Sequence, residues 1–415
     1  MFKKTVLENG LKIITEVVGE FKSASIGLWI NVGSQYENKA NNGISHFVEH
    51  LLFKGTKNLS AKDIAEKIDN LGGVLNAFTE KEHTCFYTKV MDRHVEVAMD
   101  MLIDMIINPL LAPKDIELEK AVIIDEIRMY EDSPDEMIFE LFSKAIWGDS
   151  NLGQCVLGSN KVVKGLNRVK ITEFIKMNYH PSNIIVSVAG NVDHNSIVKK
   201  IKKYFKGIKK QSSQQQVTNF CIKKRKLIKE KQSEQVYLCT GIDAYDQNDE
   251  KKYILLVLDS VLGGSLSSRL FQDIREKRGL VYSISTFQNS YVNTGCYGVQ
   301  ASTSADNFDT VMKLVKKNIN DIYKNAITKE EMNRSKEHIK GAISLGLENT
   351  ASRMIRNAKS DFYHDRFVSY KEIIKRIEEV TLNDIKKVAK EILRWNDFSL
   401  SVIGPVNKIK SGFLK

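Results

Sequence analysis

"IIVSVAGNV" (184–192) is a run of apolar and small residues closed by a glycine turn, and its pattern returns as "FSLSVIGPV" (398–406). Both read as short strands. What precedes them also matches. "VKITEFIKMNY" (169–179) and "VTLNDIKKVAK" (380–390) each read as a threonine-containing entry to an amphipathic helix. Further back, "HTCFYTKV" (83–90) pairs with "TGCYGVQA" (294–301), two alternating strands each followed by a loop and an apolar-periodic helix. The matches keep their order and an offset of 211 to 214 residues, which chance likeness of short patterns does not produce. The expected fold class is α+β, with two homologous α/β-sandwich domains arising by internal duplication.

A chain of 415 residues is too long for one ordinary core and suits two. The one long polar, low-complexity stretch lies near its middle, where "KQSSQQQ" (210–216) has no apolar periodicity. This gives domains at 1–208 and 223–415 with a polar linker at 209–222. The net charge of +11 comes from scattered lysines, densest in "KKIKKYFKGIKK" (199–210) and "KKRK" (223–226). No zinc-finger spacing, RNP-type strand or Arg/Gly tract accompanies them, so a soluble lysine-rich surface is expected and nucleic acid is not. The five cysteines are odd in number and widely spaced, without a Cys-x-x-Cys. Reduced thiols suit the cytoplasm. No apolar run has the length of a signal peptide or a membrane span, so no membrane insertion is expected.

"GISHFVEHLLFKGT" (43–56) carries the chemistry. Ser45 reads as an N-cap, and Ile44, Phe47, Val48, Leu51 and Leu52 form a buried stripe. At about 100° per residue, His46 and His50 lie on one face one turn apart, with Glu49 beside them. Two imidazoles at i and i+4 can bind one zinc ion, leaving the carboxylate to take a proton from activated water. At an offset of 211, His46-Phe-Val-Glu-His50 falls opposite Val257-Leu-Asp-Ser-Val261. The second copy keeps the helix without either histidine, so the fold does not require them.

Zinc needs a third protein ligand. "KDIELEKAVIIDEIRMYEDSPDE" (114–136) supplies Glu119 and Glu126, seven apart and on one helical face. Val122, Ile123 and Ile127 place that surface against a core, where a glutamate is costly without a partner. Glu126 is favoured as the ligand; Glu117 and Glu131 read as a solvated edge.

His-x-x-Glu-His, then 75 residues, then Glu126 resembles the inverzincin pattern of the M16 zinc metallopeptidases, in particular their bacterial branch similar to the mitochondrial processing peptidase. The resemblance runs almost end to end, through "LGGVLNAFTEKEHTCFYTKV" (71–90), "EKAVIIDEI" (119–127) and "LGGSLSSRLFQDIREKRGLVYSIS" (262–285). It implies a zinc endopeptidase with one Zn²⁺ per chain, bound by His46, His50 and Glu126. Glu49 is then the general base and Glu119 the acid that orients the site. Asn76, Ala77 and Phe78 would lie on an edge strand where an unfolded peptide or presequence-like segment adds as a further strand. Arg275 and Tyr282 would reach the substrate carbonyl, and Glu136 and Glu140 would hold an arginine near the cut. The family fold is a clamshell of two domains around a chamber, and family analogy adds a homodimer. The competing expectation is a catalytically silent scaffold or partner subunit. Such members usually lose part of the metal motif or the Arg/Tyr element, and this chain keeps both.

Overall fold

The computed structural model describes residues 1–211 and 222–414, so most of the expected linker, 212–221, lies outside the described residues. Two sheets carry the fold. The first contains β1 (Phe2–Val6), β2 (Lys12–Val17), β3 (Ser23–Ile30), β4 (Val74–Thr79), β5 (Thr84–Met91) and β6 (Ile184–Gly190), in the order β1-β2-β6-β3-β5-β4. The second contains β7 (Lys226–Glu230), β8 (Val236–Ala244), β9 (Val281–Ser290), β10 (Gly295–Thr303) and β11 (Ser399–Gly404), in the order β7-β11-β8-β10-β9. Removing β1 leaves two sheets of the same topology. β2 runs parallel to β6 and β7 parallel to β11, while every other pair is antiparallel. The duplication read from the sequence is therefore a duplication of fold.

The opening stretch shows why its strand lacks polar alternation. β6 is buried along its whole length, as expected of an inner strand covered on both faces. Its last residue, Gly190, has φ +137, and a Cβ there would lie 2.3 Å from the Ser23 carbonyl oxygen. Gly404 ends β11 in the same way at φ +148. In "VKITEFIKMNY" the helix begins earlier than the threonine suggests. Asn167 caps Arg168–Asn178 by accepting from the Lys170 amide, and Thr172 lies inside the helix. In the second copy Thr381 is the cap, in a reciprocal box with Asp384.

The chain forms two compact units, but not by one cut in the middle. The first comprises Met1–Arg128, Gln154–Thr218 and Leu345–Phe367; the second comprises Met129–Gly153, Asn219–Ser344 and Val368–Lys415. In the first, helices Ile44–Leu52, Val95–Ile107 and Arg168–Asn178 pack on one sheet face around Leu28, Phe47, Phe86 and Leu102. The other face is covered by Thr350–His364, whose Met354 and Ala358 lie over Ile14, Trp29, Cys85 and Ile185. In the second unit, Lys251–Leu262, Phe308–Asn325 and Leu382–Ile392 surround Leu238, Val299 and Val402. There the opposite face is covered by Pro134–Trp147, with Phe142 and Ile146 against Cys239 and Ile403.

Each sheet thus takes one covering helix from the other half of the sequence, and the exchange is reciprocal. Phe142 and Met354 are 212 residues apart, within the offset of the repeat. Each reaches a strand glycine. A Cβ on Gly27 would lie 2.3 Å from Met354 Sδ, and one on Gly241 would lie 2.8 Å from Phe142 Cζ. The segments 129–153 and 345–367 therefore leave the halves expected at 1–208 and 223–415. A helix and a sheet face meet wherever their apolar surfaces fit, whatever their order in sequence. Among the described residues, no helix is long and apolar enough to cross a membrane.

Candidate metal centre

The His helix, Ile44–Leu52, is seated by its buried stripe of Ile44, Phe47, Val48, Leu51 and Leu52. Its N-cap differs from the sequence expectation. Gly43 caps it at φ +96, and Ser45 is the second helical residue, its hydroxyl buried beside the Glu37 carboxylate. A Cβ on Gly43 would approach the Leu157 carbonyl oxygen to 2.7 Å. With no side chain at the cap, the capping acceptor comes from Glu37. Its Oε2 accepts from the Gly43 amide at 2.6 Å and Asn42 Nδ2 at 3.1 Å, and its Oε1 from the Ser45 amide at 2.7 Å. Burial pushes the Glu37 carboxyl up despite these bonds. A carboxylate here also meets the positive end of the helix dipole.

His46 and His50 stand edge to face, ring centroids 4.6 Å apart. Glu126, on the helix Pro113–Asp132, faces both. Its Oε2 lies 3.7 Å from His46 Nε2 and 3.5 Å from His50 Nε2. One donor atom from each of His46, His50 and Glu126 falls within 4.8 Å of the others. Glu126 Oε2 is closed to solvent yet takes no hydrogen bond, an arrangement that calls for an explanation in a folded protein. The opposite side of the His50 ring is committed, with Nδ1 at 3.0 Å from Glu119 Oε2. Glu119 is itself buried and takes Lys54 Nζ on Oε1 at 2.6 Å. That bond fixes the ring and points Nε2 into the cluster, as second-layer carboxylates do for ligating histidines. Two imidazoles and a carboxylate suit zinc, whose sites favour nitrogen and oxygen donors in threes with a position left open. The residues fit the ion.

The electrostatics agree with these assignments. Burial, and then the neighbouring His50, pull the His46 imidazole down to about 4. Burial also pulls on His50, but the Glu119 bond and the charge of Glu126 outweigh it and leave its pKa raised. Burial acts upward on Glu119, yet the bonds from His50 and Lys54 hold it below the usual carboxylate range. Glu126 is raised by burial and by Glu119, against the pull of His50. Glu49 lies beside the cluster and outside it. Thr79 Oγ1 donates to its Oε2 at 2.5 Å, and burial keeps its pKa raised.

Glu117 and Glu131 are solvated as expected. Ile123 and Ile127 are buried, but Val122 is 48% exposed and takes no part in the core beneath Glu126. Among the described residues β4 is the last strand of its sheet and pairs only with β5, so its other edge is open within the sheet. Asn76 is exposed there and accepts from the Ala77 amide through its own Oδ1 at 2.8 Å. Phe78 differs from expectation: its side chain turns to the opposite sheet face, edge-on to Trp29 at 5.5 Å. Glu136, exposed, and Glu140, half-buried, lie on Pro134–Trp147 in the second unit. Arg275 and Tyr282 also belong to that unit. Arg275 stands in a π-helical turn over the Phe271 ring at 4.8 Å, and Tyr282 is 75% exposed on β9.

Sequence reasoning missed Glu37, Lys54 and Thr79. Lys54 continues the series 46, 50, 54 at helical spacing, so periodicity held its signal. Thr79 alternates with Ala77 on the β4 face toward the His helix, which required the strand pairing. Glu37 lies in a loop with no periodicity, and nothing in its neighbourhood marks it.

The class defined by fold and site is a duplicated α+β protein with, among the described residues, a candidate metal centre on one copy only. The chain belongs to peptidase family M16. The family model described as Insulinase (Peptidase family M16) matches residues 12–160, and the one described as Peptidase M16 inactive domain matches 165–339. The uncharacterized zinc protease YmxG of Bacillus subtilis is 36% identical over 99% of this chain and all of its own length. An uncharacterized zinc protease of Streptomyces coelicolor is 37% identical over 97% of this chain and 90% of its own. Among solved structures, a peptidase M16 inactive domain from Pseudomonas fluorescens superposes with a TM-score of 0.91 at 17% identity, covering 99% of each chain. A protease from Helicobacter pylori gives 0.91 at 20% identity, covering 98% of this chain and all of that one.

Proposed function

We propose that this chain is a zinc-dependent endopeptidase that cleaves unfolded peptide segments. The observation that carries the reading is the convergence of His46, His50 and Glu126 around a buried carboxylate oxygen without a hydrogen bond. It is supported by full-length relatives whose names say zinc protease. His46 Nε2, His50 Nε2 and Glu126 would hold the ion. When bound, zinc supplies Lewis acidity that polarises the scissile carbonyl and acidifies water. Glu49 takes the proton of the attacking water and delivers it to the leaving amide nitrogen. Thr79 holds its Oε2, leaving Oε1 for that proton. A raised pKa fits an acid–base group that must both accept and return a proton near neutrality. Glu119 and Lys54 keep His50 turned.

The open edge of β4 supports binding of substrate as an added strand, with the Asn76 side chain displaced from the Ala77 amide. That mode requires a free backbone, so unfolded segments are cut and stably folded domains are spared. Arg275 and Tyr282 take the substrate-contact role that the resemblance implies, and Glu136 and Glu140 favour basic residues near the cut. The test measures metal content and peptide cleavage for the wild type, His46→Ala and Glu126→Gln. Stoichiometric zinc and chelator-sensitive hydrolysis are expected, both lost in the variants. Hydrolysis that survives chelation and His46→Ala refutes the proposal.

A further inference from the structure

The basic run "KKRK" (223–226) plays no part in the metal centre, and the structure gives it two uses. Arg225 turns to one side of the second sheet, where Nη1 donates to the Ala145 and Ile146 carbonyls at 3.2 and 3.3 Å. These carbonyls end the covering helix Pro134–Trp147. Lys224 and Lys226, on the other side as strand alternation requires, border a cavity of about 620 Å³ within the second unit.

The cavity is built from sheet, helix and chain end. Lys226, Leu400 and Thr240 form its floor, in direct register across β7, β11 and β8. Trp395 stacks on Phe398 at 5.5 Å and meets Phe413 edge-on at 6.1 Å to form an aromatic wall. Lys313 and Lys316, one turn apart on Phe308–Asn325, and Lys410 complete the rim. Five of the fourteen lining residues are lysine, against 62 lysines and arginines in 415 residues overall. The one lining acid, Asp309, is already engaged by Lys313 at 2.6 Å and Ser411 at 2.7 Å. Lys224 gives a hydrogen to the Asn396 carbonyl, and among the described residues no acid pairs with Lys316 or Lys410.

A merely solvated lysine surface spreads its charges apart. Here lysines from three segments converge on one concavity, and a half-exposed indole forms part of its wall. Converged ammonium groups repel one another, and a bound anion relieves that repulsion. The volume is that of a small-molecule site.

We propose that this cavity binds a small organic phosphate. Its planar ring lies against Trp395, and its phosphates sit among Lys224, Lys226, Lys316 and Lys410. A nucleoside diphosphate represents the class. The site stands independently of the peptidase reading, since none of its residues belongs to the metal cluster.

The test titrates the full chain with ADP, pyrophosphate and adenosine, following tryptophan fluorescence and heat. Trp29 and Trp147 are each only 2% exposed, so the fluorescence change reports Trp395. ADP is expected to bind about tenfold or more tighter than either half-ligand, and more weakly as salt rises. Lys316→Glu/Lys410→Glu, both rim positions, should weaken ADP about tenfold or more with the melting curve unchanged. Trp395→Leu, read by calorimetry, should remove the advantage of ADP over pyrophosphate and leave pyrophosphate binding. Three results overturn the proposal: no ADP binding, pyrophosphate binding equal to ADP, or wild-type affinity in the charge-reversed variant.

Discussion

Glu37 is expected to hold the His helix in place, although it lies outside that helix and touches neither histidine. Both its oxygens accept main-chain hydrogens at the helix start, from Gly43 at 2.6 Å and Ser45 at 2.7 Å. Glu37→Ala strands two buried donors, each costing about 1–3 kcal/mol. Exposed caps lost to alanine cost about 0.5–2 kcal/mol, and this one is buried and charge-assisted. A loss of about 2–4 kcal/mol follows, lowering Tm by roughly 5–15 °C for a unit of this size. Glu37→Gln should rescue little, because its amide NH₂ must face a main-chain N–H. His46 is the third residue of this helix, so loosening of the first turn reaches a metal donor directly. If about 1.4 kcal/mol of the loss is felt there, zinc binds about tenfold more weakly. Chelator-competition titration and thermal unfolding, each with and without zinc, read the two effects. Ser45→Ala is the comparison: it removes one neutral hydroxyl beside Glu37 and leaves both main-chain bonds in place, so its cost should be clearly smaller. A larger effect of Ser45→Ala than of Glu37→Ala, or unchanged zinc affinity in Glu37→Ala, refutes the reasoning.

Glu49→Gln should keep stoichiometric zinc while peptide turnover falls by at least about 10²-fold, the contribution expected of a positioned general base. Loss of zinc in that variant would make Glu49 a ligand instead. Zinc uptake by the metal-free protein should strengthen as pH rises through the raised pKa of His50, because a protonated imidazole cannot ligate. Glu119→Gln removes the bond that raises that pKa and leaves the opposing burial, so the midpoint of a pH titration of zinc affinity should move down. A midpoint that stays in place or rises counts against the role given to Glu119. Met354→Ala, at a fully buried contact beside Gly27 and Trp29, should cost the first unit about 2–5 kcal/mol in unfolding experiments. A fragment ending at residue 211 lacks that whole helix and should fold only when a peptide of residues 345–367 is added. Cooperative unfolding of the fragment alone would contradict the exchange.

The duplication was legible because strand burial and helix periodicity recur at a fixed offset, and local patterning carries that information. The His helix was legible for the same reason, together with its second copy, which has Val257 and Val261 where the first has its histidines. The covering helices were not legible as exchanged. Phe142 and Met354 lie at equivalent places in equivalent helices, so either apolar face matches either sheet in pattern. The choice between packing on a helix's own sheet and on that of the other half leaves no mark in periodicity. What marks the contact is Gly27 and Gly241, where a side chain on the strand would collide with the helix residue above. A glycine inside a strand signals close approach without naming what approaches. The same limit explains Glu37. Its role is set by the carbonyl of Leu157, which forbids a side chain at Gly43 and so moves the capping acceptor to another loop. At the metal centre, then, sequence identifies the groups that carry charge or donate to an ion. The groups that orient them are chosen by contacts between segments far apart in the chain. Two orienting groups lie within reach of both kinds of reading: Glu119, which shares a helical face with Glu126, and Lys54, which shares the helical period of the histidines.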